Sequence, residues 1–201
     1  MSTDLSIDQA VRGRTMEAVV IGASAGGVSA LMQILPGLPR SYRLPIIVVL
    51  HVKSGRQNQL VEVFQQKLVI PVREAGDKDD VNPGTLYFAP AGYHLLLESD
   101  RSFSLSCDAP LHFVRPAIDI TMETAADVYG ANLVGVLLTG ANDDGAAGIA
   151  AIGKAGGLTV VQDPDEAEVN VMPQEAINIG PPDLILPLEQ IRRLLLKLEM
   201  H

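Results

Sequence analysis

Three short stretches carry the residue types able to do chemistry. The first is VVIGASAGG, residues 19–27, where an apolar run enters a knot of small residues. It completes G-x-S-x-G with Gly22, Ser24 and Gly26, a pattern that presents a serine on a strand-to-helix turn. It also approaches G-x-G-x-x-G, with Gly22 and Gly27 in place. There Ser24 replaces the glycine that would let the backbone approach a pyrophosphate. The second stretch ends the apolar run PIIVVLHV, 45–52. A dinucleotide site needs an acidic side chain at the end of this strand to hold a ribose hydroxyl; the chain offers His51. Imidazole suits another task. A serine needs a neighbouring base to take its proton, and neutral histidine, with an ordinary pKa of about 6.5, does this at cellular pH. The third stretch, GANDDG at 140–145, supplies Asp143 and Asp144. A carboxylate is what such a histidine needs to fix its tautomer and orientation.

Serine, histidine and aspartate at three strand ends point to a serine hydrolase. A nucleotide-binding α/β module is the alternative, and calorimetry with NAD(P) or ATP separates the two. The order Ser, His, Asp differs from that of the α/β-hydrolase fold, where the histidine comes last. His94 and His112 read as structural or surface residues. No paired-histidine or clustered-cysteine pattern suggests zinc, and the acidic DPDEAE loop lacks the spacing of a calcium loop.

The elements that must position these groups alternate along the chain. A strand at 18–22 leads to a helix over about 26–35, closed by the Pro36-Gly37-Leu38-Pro39 breaker. The run 45–52 is rich in β-branched residues and reads as a strand buried on both faces. A helix carrying Leu60, Val61, Phe64 and Leu68 comes next. Short strands are expected at 85–89, 93–98 and 102–106, with a hairpin connection at ESDRS. Then come a helix over 116–129, a strand at 132–139, a helix over 145–154 and the strand LTVVQ. A short helix near Pro173, a strand around 184–186 and an amphipathic helix over 188–199 complete the chain. This alternation predicts an α/β fold: a doubly wound, mostly parallel sheet with helices on both faces and an antiparallel hairpin at one edge. Such sheets bind ligands beyond the carboxyl ends of their strands, where the strand order reverses.

The whole chain sets the bounds. Its 201 residues suffice for one domain burying roughly 70% of the unfolded surface. Residues 1–16 read as a polar, mobile leader, and 17–201 as a single domain. Hydrophobic residues make up 47% but aromatics only 4%, with no Trp, so the core must be aliphatic. A net charge of −9 disfavours nucleic acid and anionic membranes as partners. Cys107 is the only cysteine, which rules out an internal disulfide. No secretory signal or bilayer-length apolar run is present, so the expected location is cytoplasmic.

With these residues placed, the chain resembles the catalytic domain of the chemotaxis protein-glutamate methylesterases, the CheB family. GASAGG is similar to that family's GASTGG, LTGANDDGAAG to its LTGMGxDGAxG, and LHV falls where it has a strand-ending histidine. PGTLYFAPAGYHLLL and VRPAID match further segments in the same order. The resemblance implies a Ser-His-Asp hydrolase that needs no metal or cofactor. Its partners would be methylated cytoplasmic helices of chemoreceptors or similar signalling proteins, with a related activity on receptor glutamines. By position it makes Ser24 the nucleophile, His51 the base and Asp144, rather than Asp143, the acid. It gives the backbone N–H groups of Ala141 and Ala25 to the oxyanion hole. Departures from the family pattern are Ala25 for threonine, Ala141-Asn142 for Met-Gly, 52–55 for a proline-containing segment, and Val171 for glycine. They leave a retargeted partner of a signalling complex as a further alternative. The usual receiver domain has no counterpart in the sixteen residues before the first strand, so control by phosphorylation in cis is not expected.

Overall fold

The computed structural model describes residues 3–51, 57–111 and 113–199. In chain order its elements begin with α1 (Thr3–Val11), β1 (Ala18–Ala23), α2 (Gly27–Ile34), β2 (Ile46–Leu50) and α3 (Gln57–Gln65). Next come β3 (Val72–Glu74), β4 (Leu86–Phe88), β5 (His94–Leu97), β6 (Phe103–Ser106) and α4 (Ile118–Tyr129). The chain continues with β7 (Leu133–Leu137), α5 (Ala146–Lys154), β8 (Leu158–Gln162), α6 (Val171–Ile179), β9 (Leu184–Leu186) and α7 (Leu188–Leu198). Seven strands form one sheet in the order β3-β4-β2-β1-β7-β8-β9. Every pairing in it is parallel.

The apolar runs in the central strands explain this architecture. Every residue of β1, β2 and β7 is buried, as a sheet covered on both faces requires. Successive side chains alternate between the faces. Val19, Ile21, Ile46 and Val48 pack into a core shared with α1, α2, α3 and α7. Ala18, Val20, Ile47 and Val49 pack into a second core shared with α4, α5, α6 and the β5–β6 pair. The amphipathic stripe of α7 (Leu188, Ile191, Leu194, Leu195, Leu198) closes the first core.

Three features differ from the sequence expectation. Residues 3–11, where the sequence suggests a mobile leader, form α1. Its Ile7 and Val11 are buried in the first core, and Lys197 of α7 pairs with Asp8. The strand expected at 85–89 is β4, an inner member of the main sheet beside the three-residue edge strand β3. The hairpin expected at one edge is a two-stranded antiparallel sheet of its own, β5–β6. Its Leu95, Leu97 and Phe103 share the second core with Ile118 and Met122 of α4. Among the described residues no helix is long and apolar enough to cross a membrane.

Sheet order reverses between β1 and β7. Successive strands run outward from β1 through β2 and β4 on one side, and from β7 through β8 and β9 on the other. The space beyond the carboxyl ends of β1, β2 and β7 is therefore the expected ligand position.

Candidate active site

Ser24 comes directly after β1 and His51 directly after β2. The register pairs Ala23 with Leu50, and the His51 N–H continues it by donating to the Ala23 carbonyl at 3.1 Å. One step further sets Ser24 beside His51, on strands about 4.8 Å apart. On the other side the Ser24 N–H donates to the Thr139 carbonyl at 3.0 Å, continuing the β1–β7 ladder. Alternation within the strands puts positions 18, 20, 47 and 49 on the α4 side. Ser24 and His51 have the same parity, so they belong to that side too.

The turn after Ser24 needs its glycines for separate reasons. Gly26 has φ 79°, a conformation costly for residues with a Cβ, and a Cβ there would lie 2.8 Å from the Glu168 side chain. Gly22 is needed for space: a Cβ would lie 2.4 Å from Cγ2 of Ile118. The Gly27 N–H closes the turn onto the Ser24 carbonyl at 2.8 Å. The Thr139 hydroxyl donates to the Ala25 carbonyl at 2.9 Å, tying the turn after Ser24 to the end of β7. Ser24 itself is half-buried, and among the described residues its hydroxyl has no hydrogen-bond partner.

His51 meets Asp144. Nε2 lies 2.9 Å from Oδ2, with the imidazole 11% exposed and the carboxylate fully buried. That separation is hydrogen-bonding distance, yet the ring N–H direction misses the straight line to the oxygen, so Nε2 makes no geometrically good hydrogen bond as it stands. Nδ1 is buried without a partner among the described residues. Asp143 is exposed, and its backbone carbonyl accepts the Ala146 N–H at 3.1 Å. Ala25 and Ala141 are both exposed, and neither N–H donates to another described residue.

The structure adds Asp119, to which the sequence assigned no role. The Asp144 carboxylate accepts the N–H groups of Ile118 (2.7 Å) and Asp119 (3.0 Å), the first two residues of α4. A buried carboxylate requires such donors, and a helix N-terminus is where they stand free. Asp119, also buried, does the reverse: its Oδ1 accepts the N–H groups of Gly145 (2.8 Å) and Gly148 (2.7 Å) at the start of α5. His94 holds the segment leading into α4. The Ala117 N–H donates to its Nδ1 at 3.2 Å, and Nε2 faces the Ala109 carbonyl at 3.1 Å, which assigns the ring proton to Nε2. The available signal was negative: the N-cap positions of α4 and α5 are Ala117 and Gly145, neither with a capping side chain. In the acidic loop, the exposed Glu166 accepts the Leu188 N–H at 2.7 Å and so caps α7. The segment 52–55, His112 and His201 lie outside the described residues.

Burial pushes the Asp119 carboxyl up to about 6, with a smaller contribution from the charges of Asp144 and Glu123, while the Gly148 and Gly145 amides oppose the shift. A carboxyl whose folded pKa lies above its unfolded value of about 3.9 binds its proton more tightly when folded. Its stabilisation is complete below the unfolded value and is lost as pH rises through about 6. Asp119→Asn is neutral throughout. The urea midpoint of the native protein should therefore fall relative to that of Asp119→Asn between pH 4 and pH 7. A constant difference across that window would contradict the assignment.

The profile of the family described as CheB methylesterase matches residues 19–195. A Leptospira interrogans protein, provisionally named for protein-glutamate methylesterase and protein-glutamine glutaminase activity, is 43% identical over 92% of this chain and 96% of its own length. A Symbiobacterium thermophilum protein-glutamate methylesterase/protein-glutamine glutaminase is 39% identical over 86% of this chain and 48% of its own. In three dimensions the chain is similar to the CheB methylesterase catalytic domain of Thermotoga maritima. The TM-score is 0.87 at 34% identity, covering 91% of this chain and 98% of that one. Among the described residues no cluster of three or more His, Cys, Asp or Glu side chains could hold a metal ion.

Proposed function

Because the chain belongs to the CheB methylesterase family, we propose that it is a protein-glutamate methylesterase with glutaminase activity, acting in the cytoplasm through Ser24, His51 and Asp144. The observation that carries this reading is the His51–Asp144 pair beside Ser24 at the strand-order reversal. The substrate would be a methylated glutamate on a signalling helix of a chemoreceptor-type protein. His51 takes the Ser24 proton as Oγ attacks the γ-carbonyl carbon. The N–H groups of Ala25 and Ala141, which have no acceptor among the described residues, receive the oxyanion. Collapse of the tetrahedral intermediate breaks the bond to methoxide, which leaves as methanol with the proton from His51. Water then gives its proton to the same imidazole and attacks the acyl-enzyme. Glutamate is released and the proton returns to Ser24. With a glutamine, ammonia leaves in place of methanol.

Support for this reading over a nucleotide site comes from the end of β2. A ribose would need a free carboxylate at that position, and the chain has an imidazole there, 2.9 Å from the buried Asp144 carboxylate. The test is methanol release from a purified receptor fragment methylated on its glutamates, run beside labelling with a serine-reactive fluorophosphonate. Release together with modification of Ser24 is the expected result. Labelling without release would overturn the substrate, and the absence of both would overturn the serine mechanism.

A further inference from the structure

Asp119 is a buried carboxylate with no step of its own in the proposed reaction. It stands in the first turn of α4, yet one of its oxygens serves α5, while Asp144, one residue before the N-cap of α5, serves α4. The two acids thus exchange caps. Neither helix caps itself, because Ala117 and Gly145 have no side chain able to do so. The result is a closed circuit. Asp144 fixes the backbone of Asp119, and Asp119 fixes the backbone of Gly145, the residue immediately after Asp144.

From this circuit we propose that Asp119 is a positioning residue that aims the Asp144 carboxylate at His51, an inference resting on the catalytic reading of that pair. The turn it holds is tightly enclosed and admits only glycine at position 145. Gly145 has φ 100°, and its Cα is wedged so that a Cβ would lie 2.4 Å from Leu137 and 2.9 Å from Ile118. Ile118 is the same residue whose N–H binds Asp144, and it closes over Gly22 in β1. Loss of the Asp119 acceptor would leave the Gly145 and Gly148 N–H groups without their partner in a buried place. The 144–148 turn would then relax, and Oδ2 of Asp144 would move from its place 2.9 Å from the imidazole.

Asp119→Ala and Asp119→Asn of the full chain separate positioning from simple stability. Asparagine keeps a carbonyl oxygen where Oδ1 stands, and alanine keeps nothing. Two readouts are needed: the fluorophosphonate labelling rate of Ser24, and the deshielded NMR resonance of the His51 ring proton shared with Asp144. The expected result for alanine is labelling slowed by about 10–100-fold, the scale of a misplaced catalytic group, with the resonance lost. For asparagine both should return to near the native values. If the alanine variant does not fold, Asp119→Ser, whose shorter side chain cannot reach both amides, should show the same losses. A folded alanine or serine variant that keeps the native resonance and labelling rate overturns the proposal. Neither readout uses a methyl ester. A native protein that labels and shows the resonance but releases no methanol refutes the substrate and leaves Asp119 standing.

Discussion

Ser24→Ala is expected to slow methanol release from a methylated receptor fragment by about 10⁴–10⁶-fold, the loss typical of a triad nucleophile. The fold should be untouched. The Ser24 hydroxyl holds no partner among the described residues, so its removal leaves no buried group unsatisfied. The local conformation is set by backbone bonds, Ser24 N–H to Thr139 and Gly27 N–H to Ser24, which alanine keeps. The urea midpoint and the affinity for the methylated fragment should therefore stay near the native values while turnover collapses. Some rate above the uncatalysed reaction should survive, since the N–H groups of Ala25 and Ala141 would still polarise the carbonyl toward a water molecule. Undiminished turnover would remove Ser24 from the mechanism, whatever the surrounding geometry.

The second large effect is at Asp144, where charge and architecture separate. Asp144→Asn should reduce turnover by about 10⁴-fold, because an amide does not hold the imidazole in the required tautomer or balance the imidazolium. It also costs some stability. Oδ1 and Oδ2 each accept a backbone N–H, and an amide has only one oxygen to offer them. Asp144→Ala goes further and strips both α4 amides as well as His51. At ~1–3 kcal/mol for each buried donor left unpaired, a loss of about 2–6 kcal/mol is expected on urea unfolding. The two variants should thus share a kinetic defect and differ in stability. Equal stability would show that the caps on α4 contribute little, and native turnover in Asp144→Asn would show that His51 is not oriented by this carboxylate.

His94 belongs to the same line of support. It accepts from Ala117, the N-cap of α4, and so helps set the helix end that holds Asp144. From β5 through α4 to the end of β7, the Asp144 carboxylate rests on a chain of backbone contacts.

The chain by itself determined the layers and the strand ends. Continuous apolar runs such as VVIGA and IIVVL can be accommodated only in strands covered on both faces, and the stripe of α7 only on a helix. The serine turn and the strand-ending histidine were legible because their meaning is local, fixed by their place at the end of an apolar run. Edge strand β3, with three residues of which two are exposed, has too little pattern to read, and α1 shows its apolar side only once α7 is present. What the tertiary structure alone decided is how differently the two adjacent aspartates are placed. Asp143 and Asp144 are neighbours of identical chemistry, but one faces solvent and the other is fully buried against His51 and α4. Asp119 reads locally as an ordinary acid in the first turn of a helix, and its partners lie 26 and 29 residues further along the chain. A carboxylate's partner is set by which backbone amides the packing leaves unpaired near it, and packing between α4 and α5 exists only in three dimensions.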